Sequence, residues 1–127
     1  MPFELIDPKG LEAPVGYAHV AKITGGTVVH IAGQAPFDER GQVVGKGDFV
    51  AQFTQVMENL KAILHAAEMD FSNVVKCSIF LTNMQDFPKV NEIYGKYFKS
   101  NPPARETVEV SVLPKNANVE ISCIAVR

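Results

Sequence analysis

Tryptophan is absent from this 127-residue chain, and cysteine occurs only twice, at Cys77 and Cys123. Two cysteines at such a distance form no CxxC or other metal-binding spacing, so neither a disulfide scaffold nor a zinc module is indicated. Charge of one sign is missing too. Twelve Lys and Arg stand against 14 Asp and Glu, for a formal net charge of -2. No basic run is present to engage a phosphate backbone, which excludes an electrostatically driven nucleic-acid binder. Apolar runs extend only a few residues, far short of the ~20 that span a bilayer, so no membrane partner is expected. The opening Met1-Pro2-Phe3-Glu4 has neither the cationic stretch nor the apolar core of an export signal, and a cytoplasmic location with free thiols is the expectation. GxSxG, HExxH, GxGxxG and P-loop patterns are all lacking. Serine-nucleophile, zinc-hydrolase and nucleotide chemistry therefore have no support, and no cofactor or metal is expected.

What is present is an ordinary globular composition, 46% hydrophobic and 20% charged, in a length suited to one domain over residues 1–127. Glycines and prolines punctuate short elements. His19–Ile23 and Thr27–Ile31 flank Gly25-Gly26 and read as a β-hairpin. From Asp48 the period becomes helical. Phe49, Phe53, Val56, Leu60, Ile63 and Ala67 make an apolar stripe, with Asp48 as N-cap. Val74–Leu81 reads as a mostly buried strand. Asp86-Phe87-Pro88 opens a second helix, whose stripe is Val90, Ile93, Tyr94, Tyr97 and Phe98. Val108, Val110 and Val112 alternate with polar residues as a strand, and Val119–Val126 forms the last one.

The order β-β-α-β-α-β-β predicts an α+β domain, one mixed β-sheet with two α-helices packed on one face. In the last strand Val119, Ile121, Cys123 and Ala125 share one parity, and Glu120, Ser122, Ile124 and Val126 the other. If the first set faces the helices, the second leaves Ile124 and Val126 in water, and a subunit interface is the expected cover.

Two side chains stand out chemically. Arg105 follows Pro102-Pro103-Ala104 at the start of a strand, and its planar fork matches a carboxylate. Glu120 shares its parity with apolar neighbours, and partial desolvation would raise its pKa toward that of a general base. Taken alone, the first also reads as a solvated loop arginine and the second as a surface glutamate. The two lie near the starts of strands joined by a short turn. In an antiparallel hairpin those starts are at opposite ends, so a site using both calls for neighbouring subunits. His19 and His30, on the expected hairpin, have no third ligand, and His65 belongs to the polar helix face. Cys77 and Cys123 read as inert core thiols.

Ala32-Gly33-Gln34, Asn59–Leu64, Asn91–Tyr94, Pro103-Ala104-Arg105, Val108-Glu109-Val110, Leu113-Pro114-Lys115 and Val119-Glu120-Ile121 occur in order. As a set they resemble the RidA (YjgF) family of reactive-intermediate deaminases, from about the opening loop to the C-terminus. The resemblance implies a chorismate-mutase-like subunit in a homotrimer, with active sites between subunits and no cofactor. It implies that Arg105 binds the carboxylate of a small-molecule substrate, that Glu120 places a water, and that Tyr17 and Asn91 line the cleft. The backbone around Gly33 contributes as well, with Ala32 and Thr107 at neighbouring binding positions. The implied reaction is hydrolysis of an enamine or imine such as 2-aminoacrylate or 2-iminopropionate to a 2-keto acid and ammonia. Several positions depart from the family's pattern. The usual glycine-proline-tyrosine-serine-glutamine is Val15-Gly16-Tyr17-Ala18-His19, a serine is Ala32, a cysteine or serine is Thr107, and a helix-end glycine is Glu68. These departures bear on the preferred substrate. A carboxylate-sensing module, a deaminase of a bulkier enamine such as 2-aminomuconate, and a ribonuclease are the alternative readings. The ribonuclease is the least consistent with the acidic balance.

Overall fold

The structure is a computed structural model that describes residues 2–127. Its elements are β1 (Phe3–Ile6), β2 (Val20–Ile23), β3 (Val28–Gln34), α1 (Phe49–Ala66), β4 (Val74–Leu81), α2 (Phe87–Tyr97), β5 (Ala104–Glu109) and β6 (Val119–Val126). The main sheet has the order β3-β6-β4-β5, with β4 and β5 parallel and the other pairs antiparallel. It is mixed, as expected. A separate two-stranded ribbon is formed by β1 and β2.

The helices follow from their periodicity. Asp48 caps α1, its carboxylate accepting the Ala51 N–H at 3.1 Å. Phe53, Val56, Leu60 and Leu64 are then brought over the sheet with no exposed surface. Pro88 sits in the first turn of α2, where a missing N–H costs nothing. Val90, Ile93 and Tyr94 complete the same core with Cys77, Ile79, Leu81, Val119, Ile121 and Cys123.

Three connections differ from the sequence reading. The expected hairpin of residues 19–31 does not form: β2 pairs with β1, while β3 pairs with β6. Alternation identifies a strand but not its partner, and Phe3–Ile6 carries too short a pattern to announce itself. Between β2 and β3, Gly26 adopts φ +83, and a Cβ there would lie 2.7 Å from the Arg127 carbonyl oxygen. The glycine pair therefore serves a change of sheet. Second, β5 and β6 are not a hairpin, because β4 lies between them. Third, β5 runs over residues 104–109, earlier than the valine alternation suggests, because its partner is a parallel strand rather than a hairpin neighbour.

The ribbon also alters the argument from exposed apolar residues. Phe3 packs with Val75 and Val126, and Leu5, Ala21 and Ile124 flank them. Val126 is thus sealed by its own chain, and Ile124 is half-buried. A subunit interface is not needed to cover those two residues.

Candidate active site

Arg105 is the second residue of β5 and stands opposite Cys77 of β4. Cys77 faces the helices, so the guanidinium rises into the space between β5 and α2. There Nη1 donates a 2.7 Å hydrogen bond to Oδ1 of Asn91. Cζ lies 5.0 Å from the ring centroid of Tyr94 and 5.8 Å from that of Tyr17. Tyr17 is delivered by the segment that precedes β2. Ala18 N–H donates to the Pro103 carbonyl at 3.0 Å and forms a bridge with Ala104. Gly16, at φ +76, lets this segment pass Asn91 closely, since a Cβ there would sit 2.7 Å from Asn91 Oδ1. Arg105, Asn91 and Tyr17, three of the residues singled out from sequence, thus share one cluster.

The electrostatics of that cluster are unusual in one respect. Arg105 is half-buried, and desolvation pulls its pKa below the ordinary arginine value, opposed by the neighbouring Tyr94, Cys77 and Tyr17. The ion pairs among the described residues are Lys22–Glu4, Lys76–Glu106 and Lys89–Asp86, none of which involves Arg105. A partly desolvated cation held only by neutral groups retains its attraction for an anion. Thr107, two residues along the same face, has a buried hydroxyl oxygen with no hydrogen-bond partner among the described residues.

Glu120 is placed elsewhere. It stands opposite Phe80, whereas Arg105 stands opposite Cys77. Those two β4 residues differ in parity, so Glu120 and Arg105 leave opposite faces of the sheet, with β4 between their strands. Glu120 instead meets Gly33, where a Cβ would lie 2.5 Å from its Oε2. The β3–β6 register shifts between Ile31 and Gln34, which places Ala32 and Gly33 in an irregular stretch of the strand. Gly33, Glu120, Asn59 and Ile63 line a groove of about 780 Å³, into which Asp38, Glu39 and Glu58 also face. Within one chain the site residues therefore form two groups: Tyr17, Asn91, Arg105 and Thr107 along β5 and α2, and Ala32, Gly33 and Glu120 along β3 and β6.

The remaining candidates are structural. His19 is bonded to the Glu12 carbonyl through Nε2 at 2.7 Å and lies edge-on to Tyr17, while His30 is on β3 opposite Ile124, so the two histidines do not pair. No group of three potential metal ligands occurs among the described residues. Cys77 and Cys123 are buried free thiols on adjacent strands, their sulfurs 3.3 Å apart. Their mutual hydrogen bond and burial push the Cys123 thiol up. Among the described residues no helix is long and apolar enough to cross a membrane. Sequence reasoning assigned Tyr94 to the core stripe and missed its contact with Arg105. Its one-turn spacing from Asn91 was the available signal.

Comparison with known proteins supports one family. The model of the Endoribonuclease L-PSP family matches residues 9–127. Protein DfrA of Myxococcus xanthus is 50% identical over 110 residues, covering 87% of this chain and 84% of the relative. A human protein named 2-iminobutanoate/2-iminopropanoate deaminase is 40% identical over 99 residues, 78% of this chain and 72% of the relative. The crystal structure of YyfB from Yersinia pestis, described as a member of the conserved Rid protein family, superposes with a TM-score of 0.92 at 28% identity, covering 100% of both chains. Extended likeness of this kind, in sequence and in fold, places the chain in the Endoribonuclease L-PSP family, which is the RidA (YjgF) family.

Proposed function

We propose that this protein hydrolyses small enamine or imine acids, of the 2-aminoacrylate and 2-iminopropionate kind, to 2-keto acids and ammonia. The observation that carries the reading is Arg105: half-buried, without an ion-pair partner among the described residues, and held by Asn91, Tyr94 and Tyr17. Neutral neighbours orient the fork without satisfying its charge, which suits a transient carboxylate. The human relative's name supports the same chemistry.

In the proposed reaction the substrate carboxylate binds Arg105. A water held by Glu120 adds to the imine carbon, and the tetrahedral adduct expels ammonia to leave the keto acid. The added oxygen becomes the keto oxygen, and the two water protons leave with the nitrogen. Tyr17 supplies a phenol that can donate to or accept from the adduct. An imine carbon is already electrophilic, so orientation is the main requirement. Because Arg105 and Glu120 leave opposite faces of one subunit, the cleft forms between copies, which is the homotrimer implied by the family resemblance. A phosphate backbone suits this chain poorly, since Asp38, Glu39 and Glu58 line the groove beside Glu120.

The test generates 2-iminopropionate in situ with a pyridoxal-phosphate-dependent dehydratase and follows its decay with and without the protein. Acceleration that disappears in Arg105→Ala is expected. Equal decay with and without the wild-type protein refutes the enzyme reading, and keto-acid binding without turnover would assign a sensor instead.

A further inference from the structure

We infer that Tyr94 is a positioning residue for Arg105, its ring face setting the plane of the guanidinium so that the free edge of the fork points into the cleft. The assignment rests on the proposed use of Arg105 as a carboxylate clamp, but its geometry stands independently. Tyr94 is 1% exposed, and its ring centroid is 5.0 Å from Cζ of Arg105, well within the range of a cation–π contact. Asn91, three residues earlier on α2, takes one Nη1 hydrogen at 2.7 Å. One turn of one helix therefore holds the guanidinium twice, by an amide that accepts one N–H and by an aromatic ring beneath its central carbon. A guanidinium has five N–H donors, and this arrangement uses one of them.

The ring, rather than the hydroxyl, performs the task. Tyr94 Oη is buried, and among the described residues its polar neighbour is the weakly bonding Cys77 thiol rather than a strong acceptor. Burial raises the phenol's pKa far beyond the usual value, with the Cys77 thiol adding to the effect and Arg105 opposing it. The phenol therefore stays neutral and leaves the charge on Arg105 uncompensated. Phe98 packs against Tyr94, the ring centroids 4.5 Å apart and the planes tilted by 34°, and so restrains the ring. A leucine would fill much of the same volume yet offer no π-face.

Three variants in the full chain separate positioning from packing: Tyr94→Phe, Tyr94→Leu and Val90→Ala, the last a fully buried residue of the same helix whose truncation loosens the core while leaving the Tyr94 ring and the Asn91 amide in place. The first readout is the order parameter of the Arg105 Nε–H by NMR without ligand, its resonance assigned by its loss in Arg105→Lys. Order is expected to persist in wild type, Tyr94→Phe and Val90→Ala, and to fall below about 0.6 in Tyr94→Leu. The second is affinity for 2-oxobutyrate, expected to weaken roughly three- to thirty-fold in Tyr94→Leu and to stay within about two-fold in Tyr94→Phe. In turnover the loss should appear in KM more than in kcat. Unchanged Arg105 order or unchanged affinity in Tyr94→Leu overturns the assignment, as does an equal loss in Val90→Ala. If the leucine variant does not fold, loss of Arg105 order in Tyr94→Phe overturns it and retention supports it. Ordered Arg105 with no keto-acid binding to wild type would instead sink the reading of the site and leave the positioning role standing.

Discussion

Replacing Asn91 by aspartate is the sharpest perturbation of the proposed clamp. The side chain keeps its shape, and the acceptor 2.7 Å from Arg105 Nη1 becomes a carboxylate oxygen. The neutral setting of the guanidinium is then lost, because the protein supplies the anion itself. Two unit charges about 4 Å apart at an effective dielectric of about 20 attract by about 4 kcal/mol. Arg105 is only half-buried, so solvent screening reduces this to about 2 kcal/mol. A substrate carboxylate must displace or share that pair, which predicts an affinity lower by roughly 30-fold. Titration calorimetry with 2-oxobutyrate measures it directly, and imine decay should slow in parallel at low substrate. Asn91→Asp should not lower the melting midpoint, because a partly buried cation gains a partner. Undiminished affinity in a folded Asn91→Asp variant would refute the reasoning, since it would show that the uncompensated charge of Arg105 is not what holds the anion.

Other variants test other parts of the structure. Gly33→Ala should displace the Glu120 carboxylate, because a Cβ would stand 2.5 Å from Oε2; turnover should fall at least ten-fold while keto-acid affinity changes little, and unaltered kcat would argue against Glu120 as the water's acceptor. Glu68 follows α1 at φ +60, a conformation that costs an L-residue about 1 kcal/mol, so Glu68→Gly should raise stability by about 0.5–1 kcal/mol in a denaturant titration. The Tyr97 phenol is pushed up to about 12 by burial and by its 2.9 Å hydrogen bond to Glu58. Its folded pKa exceeds the unfolded value of 10.0, so its contribution is complete below pH 10 and drains away as pH rises toward 12. Tyr97→Phe should flatten that part of the melting-midpoint profile, and an unchanged slope would contradict the assignment.

The legibility of this chain follows the range of its interactions. Both helices, the Asp48 cap, and the strands Val74–Leu81 and Val119–Val126 are local patterns, and each stands where periodicity put it. Partners are not local. Nothing in residues 19–31 says that β2 turns to Phe3–Ile6 while β3 turns to the last strand, and the short turn after β5 suggests a hairpin that a parallel β4 pre-empts. The site shows the same division. Arg105 and Glu120 were marked by residue chemistry, but Tyr17 and Asn91 came forward only through family resemblance, because three distant segments converge there. Tyr94 was hidden by its own regularity: a core aromatic and an aromatic beside a cation occupy the same place in a helical stripe. The φ of Glu68 gives physical content to the helix-end glycine of the family's pattern.

The parity that sends Arg105 and Glu120 to opposite sides of the sheet has a genetic corollary. If each cleft takes its arginine from one copy and its glutamate from the next, two dead proteins can mend each other. Arg105→Ala and Glu120→Ala subunits, each inert alone, would on co-refolding at equal amounts leave about one cleft in four with both wild-type residues. Recovered turnover near that fraction would come from a complete site that neither parent possesses.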